Sequence, residues 1–391
     1  MKIEGVDFFY LSMPDVTTAA DGSQDALVVR VSAGGLIGWG ECEASPLVSI
    51  AAFVTPMSHG ACRPVSASVL GRDLNAPEDI HAIAADVAYY SMDLLQAAHT
   101  WSGIEMALWD LLGKARGEPA WKLLGYSRAW PKLPYASVLF GATPAETFAR
   151  ARDIREQGFQ AAKFGWAPFG ESPESDALQL DAAREGLGAD GILLVDAGQV
   201  FVEDVEAASA RLKAMERNRV TFFEEPFGGQ SLSAYHALSQ RAAAAGVGIA
   251  GGEAAHNRQM AEHLIDFGGV RYIQIDCGRI GGLGPAKAVA DHAAAKGVTY
   301  VNHTFTSNLA LSASLQPFAG LRDHRICEYP TGLQPLARDL TLTRIMPDAE
   351  GLIHVPDAPG LGIEIDPAAI ARYRVDVEIR VAGKSLFKSA M

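Results

Sequence analysis

The feature of this sequence that most constrains its fold is a regular alternation of short apolar runs with amphipathic helical stretches. The alternation begins near Leu133 and continues to Glu328. Successive runs are spaced by about 25 to 33 residues, the length of one strand–helix unit. The eight runs are PYASVL, QAAKF, GILLVD, VTFFEE, GVGIAGGE, RYIQID, VTYVNH and HRICE. Eight strands with seven intervening helices predict an α/β fold, a closed parallel barrel of about 200 residues.

A doubly wound open sheet has a similar order of elements and is the alternative fold. Such a sheet normally carries a glycine-rich phosphate loop after its first strand. No such loop follows PYASVL in this chain. The sequence therefore favours the barrel.

The residues before the barrel have a mixed pattern. MKIEGVDFFYLSM and DALVVRVSAGGLIGWGE are typical of paired strands with glycine turns. Residues 75–125 place apolar side chains at helical spacing. Between these parts, residues 44–67 are rich in small residues and proline, so we expect a long loop there.

The chain is therefore expected to divide into two structural domains. Residues 331–391 lack the strand–helix rhythm and are expected to pack back on the N-terminal part. We predict an α+β capping domain at 1–130, a barrel at 131–330, and a C-terminal segment at 331–391 that returns to the capping domain. The capping domain would then be built from both ends of the chain.

Polar side chains stand where the apolar runs of the barrel stop. In a parallel barrel these ends meet at one rim, which is where active sites form. A single acidic residue there is often only a helix cap, but seven in register are hard to explain in that way. The seven are Lys163, Asp196, Glu224, Glu253, Asp276, His303 and Glu328.

Three of these residues predict a metal site. Asp196, Glu224 and Glu253 lie on three adjacent predicted strands. Three carboxylates brought together repel one another unless a divalent cation neutralises them. Ligation by oxygen alone suits Mg²⁺. We therefore expect these three carboxylates to bind Mg²⁺.

The remaining rim residues suggest acid–base chemistry. A carboxylate such as Asp276 beside His303 would fix the imidazole tautomer and stabilise its protonated form, as expected of a general base. Lys163 is expected across the pocket from His303, in an electrophilic or catalytic role. The alternative for Lys163 is a structural ion pair with the acidic cluster.

Composition narrows the class of protein. The net charge is −13 and the chain has no basic cluster, so no nucleic-acid partner is expected. No apolar run approaches the roughly 20 residues that span a bilayer, and the N-terminus lacks a signal-peptide pattern. The four cysteines form no CxxC pair, which suits a reducing compartment. We expect a cytoplasmic homo-oligomer without a membrane partner.

Taken together, these motifs resemble the enolase superfamily, and within it the mandelate racemase-like enzymes. The similarity extends over nearly the whole chain and includes GIEMALWDLLGK, LLVDAG, FFEEP, GGE, IDCGRIGG, VNHT and VPDAPGLGIEID. It implies a modified (β/α)₇β barrel of the TIM type with an α+β capping domain. It also implies Mg²⁺ as the cofactor, held by the three carboxylates named above.

The resemblance also implies roles for the other rim residues. Asp276 and His303 match the dyad that distinguishes this group from relatives with a catalytic Lys on the sixth strand. Glu328 matches an acid on the eighth strand that hydrogen-bonds the substrate carboxylate or its enolate oxygen. The capping domain is expected to supply two specificity loops, Met13–Ser23 and Ala44–Ala67. Met57, His59 and Trp166 are further candidates for lining the pocket.

The sequence departs from the family pattern at two positions. Many members carry Lys-x-Lys on the second strand, where the second Lys is a base, but here the stretch is Lys163-Phe164-Gly165. Many also have Asp-x-Asn at the first metal ligand, whereas this chain has Asp196-Ala197-Gly198. Because Gly165 replaces the second Lys, one face of the substrate carbon is expected to lack its base.

This departure favours elimination over racemisation. The expected reaction is removal of the α-proton of a sugar acid by His303, followed by syn loss of the β-hydroxyl to give a 2-keto-3-deoxy acid. A racemase or epimerase that uses Lys163 as the opposite base is the alternative enzyme. A Schiff-base aldolase on Lys163 is less favoured, because it needs no metal and would leave the three carboxylates unexplained. A non-catalytic metal-binding barrel is the alternative from another class.

Overall fold

The N-terminal residues form a three-stranded antiparallel sheet. In the computed structural model, which describes residues 1–19, 21–42 and 45–389, its strands are β1 (Ile3–Ser12), β2 (Asp25–Ala33) and β3 (Leu36–Cys42). Helices follow: α1 (Pro46–Val54), α2 (Ser66–Val69), α3 (Pro77–Tyr90), α4 (Ala97–Arg116) and α5 (Ala120–Leu123).

The long helix α4 packs directly on β3. A Cβ atom at Gly40 would overlap the carbonyl oxygen of Gly103, and one at Gly38 would overlap that of Ala107. Glycine at these two positions lets the helix and strand backbones touch. This explains Gly38 and Gly40 of the GLIGWG stretch, whereas Gly35 lies in the turn between β2 and β3 with a φ of 76°, as the sequence pattern predicts.

The predicted loop at 44–67 is wrong over its first half. Residues 46–54 form helix α1, with Pro46 in the first helical turn, where its missing N–H costs nothing. Ile50 and Phe53 of α1 are buried against the cap core. Small residues and proline therefore describe a short packed helix here. Ala44, the first residue of the predicted loop, lies outside the described residues.

The middle of the chain forms the predicted barrel. Its eight parallel strands are β4 (Leu133–Leu139), β5 (Ala161–Gly165), β6 (Ile192–Asp196), β7 (Val220–Glu224), β8 (Gly248–Gly251), β9 (Tyr272–Asp276), β10 (Thr299–His303) and β11 (Ile326–Pro330). They pair in the order β10-β9-β8-β7-β6-β5-β4-β11. Each predicted strand is present, and the fold class predicted from the sequence is confirmed.

Helices connect the strands at all seven predicted positions. They are α6 (Pro144–Glu156), α7 (Pro173–Leu187), α8 (Val205–Ser209), α9 (Leu212–Arg217), α10 (Leu232–Ala244), α11 (Arg258–His263), α12 (Leu283–Lys296) and α13 (Asn308–Leu315). A π-helical turn, Leu264–Gly268, extends α11, and a 3₁₀ turn, Gln316–Phe318, follows α13. Thr143 and Ser172 cap α6 and α7 from the position just before a proline.

A side chain closes the barrel between β10 and β11, the strands at the two ends of the pairing order. The Asn302 amide on β10 accepts a hydrogen bond from the Glu328 backbone N–H at 2.8 Å and donates to its carbonyl at 3.2 Å. Both bonds imitate those of a neighbouring strand. Asn302 therefore joins β10 to β11 and fixes the height of Glu328 relative to His303.

The C-terminal residues return to the N-terminal sheet. They contain α14 (Pro335–Asp339), α15 (Pro367–Tyr373), β12 (Glu378–Val381) and β13 (Lys384–Lys388). The Val375 N–H donates to the Tyr10 carbonyl at 2.8 Å, and the rings of Phe387 and Phe8 lie 6.3 Å apart. Among the described residues, no helix is both long and apolar enough to cross a membrane.

Candidate active site

Four of the predicted site residues end their strands at the same rim of the barrel. Asp196 and Glu224 are the last residues of β6 and β7 and are register partners. Asp276 and His303 are the last residues of β9 and β10 and are also register partners. All four are buried. The structure thus brings them together as the positions of the strand ends predict.

The other three predicted residues lie near this rim at different heights. Glu253 comes two residues after β8 ends, beyond Gly252, whose φ of 119° only glycine adopts without strain. Lys163 and Glu328 are the third residues of β5 and β11, so they lie deeper in the barrel. An apolar cluster that includes Tyr135 and Phe222 fills the barrel interior.

A cavity of about 620 Å³ opens at this rim. Five of the seven predicted residues line it: Lys163, Asp196, Glu253, His303 and Glu328. Trp166 and Arg279 also line it, as do Thr18, Ala19, Asp21 and Gly22 of the first cap loop. Its size suits a small-molecule ligand.

Lys163 is surrounded by carboxylates. Its ammonium lies 2.8 Å from Glu224 Oε1, 2.8 Å from Glu328 Oε1 and 3.8 Å from Asp196 Oδ2. Burial alone would lower the pKa of Lys163, but these carboxylates raise it well above its ordinary value. Lys163 is therefore a fixed positive charge in the centre of the acidic cluster.

The carboxylates themselves are destabilised as anions. Burial, and then mutual repulsion, raises the pKa of Asp196 to about 6, and the same causes raise the pKa of Glu224 well above its ordinary value. Glu224 Oε2 is buried and has no hydrogen-bond partner. The cluster thus contains more negative charge than Lys163 compensates.

His303 and Asp276 form a hydrogen-bonded pair. The distance from His303 Nδ1 to Asp276 Oδ2 is 2.6 Å, while Asp276 Oδ1 accepts from the Gly278 N–H, also at 2.6 Å. Asp276 is therefore held from both sides and fixes the proton on His303 Nδ1. The other ring nitrogen, Nε2, remains at the cavity, 3.2 Å from Glu253 Oε2.

The charge around His303 favours the imidazolium form. Burial would lower its pKa, but the Glu253 and Glu328 carboxylates and the hydrogen bond to Asp276 raise it to about 10. Glu253 contacts Arg279 as well as His303, since Arg279 NH1 lies 3.1 Å from Glu253 Oε1. Although burial raises the pKa of Glu253, His303, Arg279 and Lys163 lower it to about 2. Glu253 is thus an anion held between cations.

The three predicted metal ligands contact two different sets of basic side chains in this structure. Glu224 contacts Lys163, Asp196 lies within 4 Å of the same ammonium, and Glu253 contacts Arg279 and His303. Within 1–19, 21–42 and 45–389, no three His, Cys, Asp or Glu side chains are grouped so that they could hold a metal ion as they stand. Metal ligation by the three carboxylates stays a prediction.

The predicted pocket residues of the cap divide into two groups. The first loop, Met13–Ser23, reaches the cavity, although its Ala20 is outside the described residues. Met57 is 62% exposed, and His59 pairs with Asp93 at 3.1 Å on the surface. Neither side chain lines the cavity.

Sequence reasoning missed several contributors to the site. Ser137 and Phe305 line the cavity. Phe305 follows His303 by two residues, so its place just beyond a strand end was a usable signal. Glu225 was not missed, because strand alternation predicts that it points to the opposite face from Glu224 as a structural residue. It is buried and accepts from Gln199 Nε2 at 2.7 Å. Burial and the charge of Glu253 raise the pKa of Glu225 to about 8.

The fold and the rim together define a capped (β/α)₇β barrel with an acid-lined pocket. Two family models match the chain: Mandelate racemase / muconate lactonizing enzyme, N-terminal domain, at residues 12–125, and Enolase C-terminal domain-like at residues 146–369. This chain therefore belongs to the mandelate racemase/muconate lactonizing enzyme family of the enolase superfamily. The resemblance inferred from its motifs is confirmed.

Three relatives illustrate how far the similarity extends. The crystal structure of a predicted mandelate racemase from Rhodobacter sphaeroides is 63% identical, with a TM-score of 0.96 and 100% of both chains covered. D-galactarolactone cycloisomerase from Agrobacterium fabrum is 27% identical over 87% of this chain and 89% of its own length. D-galactonate dehydratase from Klebsiella pneumoniae is 29% identical over 72% of each.

Proposed function

We propose that this protein is a Mg²⁺-dependent acid-sugar dehydratase. It would remove the proton next to the carboxylate of a sugar acid and eliminate the β-hydroxyl on the same side, giving a 2-keto-3-deoxy acid. The observation that carries the proposal is the hydrogen-bonded His303–Asp276 pair, which presents Nε2 to a cavity that also contains Lys163. The similarity to a galactonate dehydratase supports the same chemistry.

One acid–base group is sufficient for this reaction. His303 Nε2 takes the α-proton and, as imidazolium, gives a proton to the departing hydroxyl, so that water leaves and the enol rearranges to the ketone. Both proton transfers occur on the same face of the substrate. Asp276 keeps the imidazole oriented throughout, because its bond to Nδ1 is 2.6 Å long.

The local packing supports a single base. A second base in this family would stand at the position of Gly165. A Cβ atom there would lie 3.0 Å from Asp196 Cβ and 3.1 Å from Asp196 Oδ2, closer than a side chain normally packs. Lys163 is held by two carboxylates at 2.8 Å. These contacts favour elimination over two-base racemisation and suit Lys163 as a positive charge for the substrate carboxylate.

The donor set suits a divalent cation. Asp196, Glu224 and Glu253 supply only carboxylate oxygens, which Mg²⁺ prefers, and Glu224 Oε2 is buried without a partner. To bind an ion, Glu224 and Glu253 would exchange part of their contacts with Lys163 and His303 for the ion. A bound Mg²⁺ would stabilise the enolate oxygens and offset the Glu253 charge that keeps His303 protonated.

A cycloisomerase is the second candidate, favoured by the relative that acts on D-galactarolactone and covers 87% of this chain. In that case the group leaving the β-carbon is a ring oxygen instead of a hydroxyl. The same His303 would serve both reactions, and only the substrate differs. Opening a ring in this way leaves the mass unchanged, whereas dehydration removes one water.

The test is a screen of the purified protein with Mg²⁺ against sugar acids and their lactones. The products are followed as keto acid and by mass spectrometry in D₂O. Dehydration predicts loss of water with formation of keto acid. Solvent deuterium at an inverted α-carbon without loss of mass would instead show a racemase.

His303→Asn is the decisive variant. We expect turnover to fall by about 10²- to 10⁴-fold, the usual contribution of a general base, with the folded structure retained. Normal keto-acid release by this variant would overturn the proposed mechanism. Mg²⁺ binding without turnover on any substrate would favour a non-catalytic barrel.

A further inference from the structure

A second, smaller cavity lies beside the His303–Asp276 pair, where the cap meets the barrel. The volume within it that the centre of a water molecule can occupy is about 10 Å³. This is close to the volume that one water molecule needs. Glu41 contributes to its lining from the cap, and Asp276, His303, Thr304 and Thr306 contribute from the barrel. This cavity is thus in contact with both members of the proposed acid–base pair.

Three buried oxygen atoms around this junction make no hydrogen bond of good geometry within the protein. They are Glu41 Oε1, Thr304 Oγ1 and Thr306 Oγ1. The Thr306 hydroxyl and the Ala310 N–H nevertheless lie close enough to the Glu41 carboxylate to stabilise its charge. Buried polar atoms are normally satisfied by protein or by ordered water. A water molecule both donates and accepts hydrogen bonds, so it can serve a carboxylate oxygen and a hydroxyl together. The cavity has the size and the lining of a single-water site.

Glu41 also fastens the loop that follows His303. It is the penultimate residue of β3, is 2% exposed, and accepts a hydrogen bond through Oε2 from the Ser307 hydroxyl. Ser307 in turn caps α13, accepting from the Leu309 N–H at 3.0 Å. At the other end of the loop, the Thr304 N–H donates to Glu328 Oε2 at 2.8 Å. The loop is thus held by one carboxylate of the barrel and one of the cap.

The residue after Glu41 reaches the loop on the other side of the pair. Cys42 Sγ lies 4.0 Å from the carbonyl oxygen of Gly278. Gly278 is also the residue whose N–H holds Asp276 Oδ1. The end of β3 therefore touches the chain segments that follow both Asp276 and His303.

We propose that Glu41 is a positioning residue for the His303–Asp276 pair, acting through Ser307 and through one water molecule bound in the small cavity. The water would link the Glu41 carboxylate to the threonine hydroxyls and keep the loop after His303 in place. The geometric part of the proposal stands without a substrate. Its effect on turnover rests on the proposed function.

The first test uses the protein alone. The short Nδ1–H bond of His303 is expected to give a far-downfield proton NMR resonance, assigned by its loss in His303→Asn. Glu41→Gln keeps the size of the side chain but replaces one acceptor with a donor. We expect this variant to shift or broaden the His303 resonance. A crystal structure of the unaltered protein should show one water within hydrogen-bond distance of Glu41 Oε1.

Glu105→Gln is the matched control. Glu105 is also a buried carboxylate of the cap, and it accepts from the N–H groups of Leu283 and Gly284 in the barrel, but it does not line the small cavity. If Glu41 only anchors the cap, both variants will lower stability and leave the His303 resonance in place. That result would overturn the proposal.

Two further measurements cover the remaining outcomes. If Glu41→Gln does not fold, Thr306→Val serves instead. It removes one hydroxyl of the cavity and keeps the bond from Ser307 to Glu41. An unchanged His303 resonance in this variant would refute the proposal.

With a substrate from the screen, Glu41→Gln should lower kcat by about tenfold or more through misplacement of the base, with KM little changed. Loss of activity in His303→Asn together with normal kcat in Glu41→Gln would refute the role of Glu41 and leave the proposed function intact.

Discussion

At the scale of single residues, Lys163 has the most demanding environment in the site. Its buried ammonium is within 4 Å of three carboxylates that repel one another. Removing one partner of a buried ion pair leaves an uncompensated charge, which costs far more than the pair contributes. Lys163 therefore matters for stability, apart from its proposed role toward the substrate carboxylate.

Lys163→Met should destabilise the protein by about 3–5 kcal/mol, the usual cost of breaking a buried ion pair. Mg²⁺ should recover part of this loss, because a bound cation would neutralise the same carboxylates, and EDTA should reverse the recovery. Urea unfolding with and without Mg²⁺ measures both effects. Lys2→Met, which removes an exposed ion pair with Asp73, is the control and should change little. A Lys163→Met midpoint that does not respond to Mg²⁺ would contradict the metal site.

Gly165 is the second residue at which a small change tests the site. Gly165→Ala places a Cβ 3.0 Å from Asp196 Cβ and displaces that carboxylate. Mg²⁺ affinity, measured by calorimetry, should fall about 10- to 100-fold, as is usual when a ligand loses its orientation. Gly60→Ala is the control, because a Cβ there meets no atom within 4 Å. Equal affinities in the two variants would show that Asp196 is not a ligand.

At the scale of elements, the cap and barrel meet where α4 touches the start of α12. Glu105 on α4 accepts from the Leu283 N–H at 2.6 Å and the Gly284 N–H at 2.8 Å, and so satisfies the first turn of α12. Gly282 precedes this turn with a φ of 103°. A carboxylate from one domain thus caps a helix of the other.

Gly282→Ala should weaken this contact strongly. The new Cβ would lie 2.8 Å from Glu105 Cβ and would overlap the Glu105 carboxylate, in addition to the strain of a positive φ. We expect a loss of about 3 kcal/mol or more, since the clash adds to backbone strain of 1–3 kcal/mol. Gly297→Ala, at the other end of α12, has a φ of 70° and an open surrounding, so it should show the strain alone. Equal urea midpoints for the two variants would exclude the clash.

The elements also show what periodicity can and cannot predict. The eight strands were predictable because each is a short apolar run, and seven of the eight runs carry a polar residue at or near their end. Helix α1 was not, because its small residues and Pro46 have the composition of a loop, and its helical form depends on the burial of Ile50 and Phe53 against the cap. The role of Gly40 likewise depends on α4, which lies far away in the chain.

At the scale of the whole molecule, a histidine pair bridges the cap and the barrel. His99 Nε2 on α4 lies 2.9 Å from His256 Nδ1 in the loop after β8. Burial, together with the charges of His256 and Arg279, lowers the pKa of His99 from its ordinary 6.5 to about 4. The folded protein therefore keeps His99 neutral at a pH where the unfolded chain is protonated.

This difference predicts a loss of stability on acidification. Between pH 6.5 and about 4 the unfolded chain binds one more proton at residue 99 than the folded protein does. The contribution of neutral His99 to the free energy of unfolding is therefore fully present above pH 6.5 and falls as the pH drops through this window. The slope from this group should stay below about 1.4 kcal/mol per pH unit, because the ring is only partly shielded from solvent. In His99→Gln the urea midpoint should depend less on pH in this window, with His354→Gln as a surface control. Parallel pH profiles for His99→Gln and the unaltered protein would refute the assignment.

The sequence by itself determined the barrel, the order of its strands and the polar residues at their ends. It could do so because periodicity and strand ends are local properties, and because parallel strands necessarily bring their carboxyl ends to one rim. Only the tertiary structure decided which charges meet. It paired Lys163 with Glu224 and Glu328, and it joined Glu41 to Ser307 across 266 residues of chain. The contacts of Lys163 depend on how the barrel brings β5, β7 and β11 together, and the contact of Glu41 depends on how the cap docks on the barrel. No local pattern in the chain records either arrangement.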